Sequence, residues 1–352
     1  MYTLAFREPR SAVYCRPTMS GLEEYDQRYA PEPYGLNNVG SLCYFNSLLQ
    51  AIAGNTCVVK AALANRDYLA RTRTGQAFYD FVWTSVPKMR PPNAKTFSTN
   101  IATSNLSYLV YKALVADLRI KRPDFASFGT SQESASECLV HLLDMMDAPP
   151  TKNSVTGETE YAKNPISYLF YHRNVTRTWC KTCAKYVSEP RRDSAVHFAL
   201  FHYDRLVAKP QSSAKFGEII RQHISPLEGY KCEECGQDNS IRVYRVEMIP
   251  EVIVCMFNVY TQRVLRYYPV TIPFKGLNGT RMMYRQTAQI EHFGSVGGGH
   301  YIAKGLRSRG KDLQVVSFND TSCVSQEAFK PTPNVYIVFY HYSGTQDDSV
   351  TE

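Results

Sequence analysis

The chain has 352 residues, 44% of them hydrophobic and 20% charged, and its 40 Lys and Arg against 32 Asp and Glu give a formal net charge of +8. That is long enough to bury a sizeable core and is the composition of an ordinary soluble globular protein, not of a low-complexity or disordered chain. No apolar run approaches the roughly 20 residues that a bilayer span needs, and Arg7, Glu8 and Arg10 fall where a signal peptide would carry its apolar core.

An intracellular protein without a membrane partner is therefore expected. Ten cysteines, four of them in two CxxC pairs, fit a reducing compartment and a metal site better than a disulfide framework. The basic residues are scattered. Their densest clusters, RIKRP at 119–123 and RSRGK at 307–311, lie beside loop-forming residues and read as solvated surface, so no nucleic-acid partner is expected.

Residues 1–34 are broken by prolines such as Pro31 and Pro33 and show no sustained period, which suggests an extended or partly ordered arm. Next comes GLNNVGSLCYFNSLLQ at 35–50. Phe45, Leu48, Leu49 and Ile52 fall at i, i+3, i+4 and i+7, so Cys43 opens a buried helix after a turn rich in glycine and asparagine. A thiol in that first turn feels unpaired N–H groups and the positive end of the helix dipole, both of which favour thiolate. Taken alone, a small buried hydrophobe is the simpler reading of such a cysteine. Asn38, five residues earlier, could donate its amide to an oxyanion beside the Cys43 N–H, although asparagine also simply favours turns.

Up to about residue 165 the signals stay mainly helical. SASECLVHLLDMMD at 134–147 is the clearest case, with Ala135, Leu139, Leu142, Leu143 and Met146 on one face and Ser134 with Glu137 resembling a capping box. After 165 the texture turns to short β-branched and aromatic runs, such as VIVCMFNV at 252–259, QVVSF at 314–318 and VYIVFY at 335–340. WCKTC at 179–183 and KCEECG at 231–236 each carry a CxxC pair. Together Cys180, Cys183, Cys232 and Cys235 offer the four thiolates of a tetrahedral structural zinc site, the alternative being unliganded cysteines. The 48 residues between the pairs require an extended β subdomain to bring them together.

FGSVGGGHYIAK at 293–304 places His300 after three glycines, where another backbone could approach closely. A lone histidine there would usually be structural, but a cysteine nucleophile needs a base that is adjacent in space rather than in sequence. Asn319 and Asp320 end the strand VVSFN, where either could fix the imidazole tautomer. Neighbouring side chains on an extended backbone diverge, so only one should face His300, and Asn319 is the expected one. The closing GTQDDSVTE reads as a frayed tail.

Read together, GLNNVGSLCYFNSLLQ resembles the cysteine box of the ubiquitin-specific proteases, and GGGHYIAK with SFND resembles their histidine box. The likeness runs in the family's order through QESASECLVHLLD, both CxxC pairs, IPEVIVCMFNV, YRQTAQIEHFG and YIVFY, over about 35–342. The resemblance implies an α+β, papain-like cysteine protease of right-hand architecture. A helical thumb would span about 35–165, zinc-bearing β fingers and a β palm about 166–342, and a tail 343–352. It also implies a monomeric thiol isopeptidase that cleaves after the C-terminal glycine of ubiquitin on ubiquitinated proteins.

On the residues, it implies Cys43 as nucleophile, His300 as base, Asn319 as orienting residue, Asn38 as oxyanion donor and Asp320 as helper. Gly298, Gly299 and Tyr301 would bind the Leu-Arg-Gly-Gly tail, and one zinc would sit on the four cysteines. A protease for a ubiquitin-like modifier with the same tail, or an inactive ubiquitin-binding module, are the alternatives. The chain departs from the family in four places: Leu42 replaces the usual threonine, Glu133 and Ser134 the glutamine and aspartate of the usual Gln-Gln-Asp-Ala segment, which reads Gln132, Glu133, Ser134, Ala135 here, and Cys138 the usual phenylalanine. The loss of the aspartate puts some tail contacts in doubt. The length is near the family's minimum, with no accessory domain expected.

Overall fold

A computed structural model describes residues 24–86, 99–125, 127–129, 132–148, 151–152, 159–160, 164–196, 209–210, 212–260, 263–275, 281–295, 298–309 and 312–346. The helical half consists of α1 (Cys43–Ala53), α2 (Thr56–Ala64), α3 (Arg66–Leu69), α4 (Arg73–Ser85), α5 (Thr99–Lys121) and α6 (Ala135–Met145). Two of the long helices, α4 and α6, are started by a local device. Thr72 caps α4 by accepting from the Gly75 N–H at 2.9 Å, and the buried Asp117 carboxylate of α5 accepts from the N–H and hydroxyl of Thr74 at 2.9 and 2.8 Å, an anion at a helix N-terminus. Ser134 caps α6 through the Glu137 N–H, and the expected face of Ala135, Leu139, Leu142, Leu143 and Met146 is buried. Only half of the capping box forms: Glu137 turns instead toward His141, 3.8 Å away, which holds its carboxyl below the ordinary range.

After β1 (Thr151–Lys152), β2 (Thr159–Glu160) and α7 (Ser167–Phe170), the chain becomes sheet. β3 (Tyr171–Cys180), β4 (Lys185–Tyr186), β5 (Arg191–Val196), β6 (Gln222–Pro226) and β7 (Ser240–Met248) form one antiparallel sheet, with α8 (Ser213–Arg221) inserted before β6. β3 is its spine, paired with β7 on one side and with β4 and β5 on the other. The second sheet contains β8 (Val252–Met256), β9 (Thr271–Lys275), β10 (Arg281–Ser295), β11 (Gly298–Arg309), β12 (Asp312–Asn319), β13 (Ser322–Gln326) and β14 (Val335–Gln346). They run in the order β13-β12-β11-β10-β14-β8, with β9 also on β10.

Strands β8 and β14 of this second sheet are buried on both faces, which explains runs such as VIVCM that show no polar alternation. Val252, Val254, Ile337 and Phe339 face the helices, while Ile253, Cys255, Val338 and Tyr340 face Phe216, Ile219 and Ile220 of α8. The expected change of texture near 165 and the α+β class are both observed. Among the described residues, no single helix is long and apolar enough to cross a membrane.

Three segments differ from expectation. β14 continues to Gln346, paired with Arg281, so 343–346 belong to the ladder and not to a tail; backbone hydrogen bonds to β10 extend the strand where side-chain pattern gives no sign of it. Residues 24–34 lie against the body, with Ala30 buried, Asp26 N–H donating to Thr56 at 3.0 Å and Ser308 N–H donating to the Pro31 carbonyl at 2.9 Å. Arg307 is fully buried rather than solvated, because strand alternation turns it toward α1.

That arginine explains why all eleven residues of α1 are buried, including Asn46, Ser47 and Gln50. The polar side of α1 faces protein, not water. Gln50 receives the Arg307 guanidinium on its carbonyl at 2.8 Å and on Oε1 at 2.5 Å, and its own amide donates to the Tyr34 carbonyl at 2.7 Å. The guanidinium lies 4.4 Å over the Phe318 ring. A buried cation held by neutral acceptors is costly to disturb. Gln50→Met, which keeps the volume and removes the acceptor, should lower the unfolding free energy in urea by about 2–4 kcal/mol. An unchanged denaturation midpoint would show that the carboxamide is dispensable.

Candidate active site

The chain reverses before α1 through Gly40 and Ser41, both left-handed with φ of 70° and 67°. Leu42 occupies the cap position without any side-chain cap, so the first N–H groups of α1 remain directed outward around Cys43. Asn38 stabilises the turn by accepting from the Leu42 N–H at 2.7 Å, while its amide donates to Asp320 at 3.0 Å. Cys43 itself is 3% exposed.

The opposite bank is the β10–β11 hairpin, in which Phe293 faces His300 and Gly294 faces Gly299. His300 is half-buried, and its Nε2 lies 2.7 Å from the Asn319 side-chain oxygen at the end of β12. A carboxamide oxygen only accepts, so Nε2 carries the proton and Nδ1 is left as the basic nitrogen. Asp320 points elsewhere, as divergence of neighbouring side chains requires. Its backbone is left-handed at φ 49°, its carbonyl accepts from the Leu36 N–H at 2.9 Å, and its carboxylate accepts from Asn46 at 2.9 Å as well as from Asn38.

Below the hairpin sits a second histidine. His292 is buried, and burial with the nearby Arg263 cation pushes its imidazole down to about 4, so it stays neutral. The Arg263 guanidinium donates to the His292 carbonyl at 2.6 Å, to Asn334 at 2.8 Å and to the Gly294 carbonyl, which pins the base of the hairpin. The two predicted glycines differ in kind. A side chain on Gly299 would collide with the Phe293 carbonyl and His292 at 2.3 and 2.4 Å, whereas one on Gly298 would meet nothing within 4 Å.

Asn38, Ser41, Cys43, Gln132, Gly298, Gly299 and His300 line one cleft of about 460 Å³. Tyr301 is not among the lining residues. Adjacent to His300 on the strand, it points to the other face, is buried, and bonds through its hydroxyl to Tyr260 at 2.6 Å. Ser134, in the family's aspartate position, is bonded to the Tyr336 hydroxyl at 2.8 Å. Two residues given no role in the sequence reading also belong here. Asn46 joins α1 to Asp320, and Gln132, just before α6, donates to Cys43 Sγ at 3.2 Å and pairs with Gly299. The helical period hides Asn46 inside an apolar helix, and Gln132 lies in an irregular segment without a period of its own.

Far along the first sheet, the sulfurs of Cys180, Cys183, Cys232 and Cys235 all lie within 4.8 Å of one another. The Cys180–Cys235 and Cys183–Cys232 separations are 3.7 and 3.9 Å. Four sulfurs around a tetrahedral ion at the usual Zn–S length would stand roughly 3.8 Å apart. β3 and β7 bring the pairs together, with Cys180 opposite Ser240, and Gly236 takes the left-handed knuckle turn at φ 69°.

Comparison with known proteins agrees with this geometry. The family described as ubiquitin carboxyl-terminal hydrolase matches residues 34–340. The probable ubiquitin carboxyl-terminal hydrolase 8 of Schizosaccharomyces pombe is 21% identical over 348 residues, covering 91% of this chain and 70% of that protein. The fold is similar to the SAGA DUB module Ubp8/Sgf11/Sus1/Sgf73 bound to monoubiquitin, with a TM-score of 0.65, 18% identity and coverage of 94% of this chain and 73% of that one. The same module bound to ubiquitin aldehyde gives a TM-score of 0.64 at 18% identity, over 91% of this chain and 72% of that one. With a family match across most of its length and a cysteine, a histidine and their polar partners meeting in one cleft, the chain belongs to the ubiquitin carboxyl-terminal hydrolase family and is a cysteine-type deubiquitinase.

Proposed function

We propose that this protein hydrolyses the bond after the C-terminal glycine of ubiquitin on ubiquitinated proteins, with Cys43 as nucleophile, His300 as base and Asn319 as the residue that orients it. The observation that carries the assignment is the His300 Nε2 contact with Asn319 at 2.7 Å, on the bank of the cleft facing Cys43. It leaves Nδ1 free to take the thiol proton.

The thiolate attacks the scissile carbonyl, and its oxygen becomes an oxyanion beside the N–H groups at the start of α1 and the Asn38 amide. Asp320 contributes by holding Asn38, not by touching the imidazole. Collapse of the tetrahedral species expels the lysine amine, which takes the proton from His300 and leaves a thioester on Cys43. Water, deprotonated by His300, attacks the thioester; the carboxylate of ubiquitin leaves and the thiol is restored. Gly298 and Gly299 give the cleft a wall without side chains, suited to a Gly-Gly tail.

Cys43→Ala should abolish hydrolysis of a ubiquitin C-terminal fluorogenic amide while retaining measurable ubiquitin binding by calorimetry. Residual turnover in this variant would show that another group is the nucleophile.

The two neighbours at the strand end separate by mutation. His300→Ala should cost about 10²–10⁴ in kcat, the range of a lost general base, and Asn319→Ala less than that because the imidazole remains but is aimed less often. Asn319→Asp should keep substantial activity. Wild-type turnover in Asn319→Ala beside a crippled Asp320→Ala would transfer the orienting role to Asp320.

We further propose that the four cysteines hold one structural zinc. All four positions would be filled by protein, so the ion would hold the fingers together without entering the reaction. Cys180→Ser or Cys232→Ser should release one zinc equivalent, measured by a colorimetric chelator, and lower the melting temperature. Absence of zinc from the purified wild-type protein by elemental analysis would refute the assignment.

A further inference from the structure

Gln132 makes a set of contacts that the reaction outlined above does not use. Its amide nitrogen donates to the Gly299 carbonyl at 2.8 Å and to Cys43 Sγ at 3.2 Å, and its carbonyl oxygen accepts from the Gly299 N–H at 2.9 Å. One carboxamide thus satisfies both backbone groups of one residue, as a residue on a neighbouring antiparallel strand would. It does so on the nucleophile.

Gly299 presents its backbone groups on the side that Gln132 occupies. Its other side rests on His292 and the Phe293 carbonyl, and its N–H and carbonyl belong to the part of β11 that extends beyond its partner β12, which begins pairing at Ala303. A chain entering the cleft toward Cys43 would meet that edge, and Gln132 already occupies it. We propose that Gln132 stands in the place of a peptide group of the substrate's C-terminal tail, and that the tail reaches Cys43 by exchanging its own peptide group for this carboxamide. The proposal rests on the reading of Cys43 as the nucleophile of a deubiquitinase.

The exchange makes Gln132 a residue that selects substrates. A peptide group returns both hydrogen bonds to Gly299, so displacement by a tail is nearly balanced in hydrogen bonding. A group without an adjacent N–H and C=O leaves Gly299 unpaired. A residue bearing a side chain has to fit between Gly299 and the Ser41–Cys43 turn, where glycine fits best. Gln132 also lies over the sulfur of Cys43, a residue 3% exposed.

The test uses the intact protein with Gln132→Ala and Gln132→Asn, the second retaining a carboxamide one methylene too short to bridge the cleft. Cys43 alkylation by iodoacetamide, which needs no tail, should be about tenfold faster in both variants. A peptide amide ending in Leu-Arg-Gly-Gly should protect Cys43 at about tenfold lower concentration in the variants than in wild type. Ubiquitin carrying a C-terminal electrophile should label the variants several-fold faster below saturation. Unchanged or slower alkylation in both variants would overturn the proposal, and so would faster alkylation with no change in peptide protection, since Gln132 would then be a cover that does not mimic the tail. Wild-type protein that alkylates normally but is never labelled by the ubiquitin electrophile would instead reject the deubiquitinase reading, a failure distinguishable because alkylation is measured without ubiquitin.

Discussion

The catalytic arrangement depends on one carboxylate that performs no chemistry. Asp320 sits in a left-handed turn at the end of β12 and receives Asn38 from the turn before α1, Asn46 from within α1, and, on its backbone carbonyl, the Leu36 N–H from the segment leading into that turn. The proposed nucleophile and base arise in different layers of the fold, Cys43 on a helix and His300 on a strand, and nothing in either layer alone sets their distance. Asp320 connects both. Its backbone continues directly from Asn319, which holds His300, so one dipeptide fixes the imidazole through its first residue and the helix through its second. Hydrogen bonds to a charged acceptor are stronger than neutral ones, which suits a joint that must not drift.

A second joint serves the same end deeper in the protein. Arg307 reaches from β11 to the carbonyl and side chain of Gln50, and Thr287 on β10 donates to Asn55 at 2.6 Å beyond the end of α1. Helix α1 is therefore tied to the sheet at its start, middle and end. Its apolar side fills the core with α5 and α6, and its polar side forms the contact with the sheet. Complete burial of a helix carrying asparagine, serine and glutamine follows from this division, since buried polar groups persist only with partners.

Much of this was legible in the sequence because the relevant signals are local. The helical period from Phe45 to Ile52, the Ser134 cap, the paired CxxC motifs and the divergence of Asn319 from Asp320 each follow from a few neighbouring residues, and the resemblance of the two boxes supplied the pairing of distant ones. What stayed hidden depends on partners remote in sequence. Arg307 looks like part of a solvated RSRGK cluster until Gln50 is brought against it. Tyr301 gives no sign of its bond to Tyr260 until strand alternation turns it inward. Ser343–Gln346 look like a frayed end because their order comes from backbone pairing with β10, which composition does not record. Gln132 opens the QESASECLVHLLD stretch that carries part of the family likeness, but it has no period or cap, and its contacts become visible only when the hairpin folds over Cys43.

The division of the site between two layers also bears on how the protein is made. Cys43 and His300 are 257 residues apart in the chain, and the Asn319–Asp320 turn lies later still. During synthesis the helices emerge first, with the thiol at the head of α1 but with neither the imidazole nor the carboxylate that fixes the oxyanion turn. On the proposed roles, a nascent chain carries the thiol before its base, and the two meet only after β10 to β12 leave the ribosome and close onto the helices.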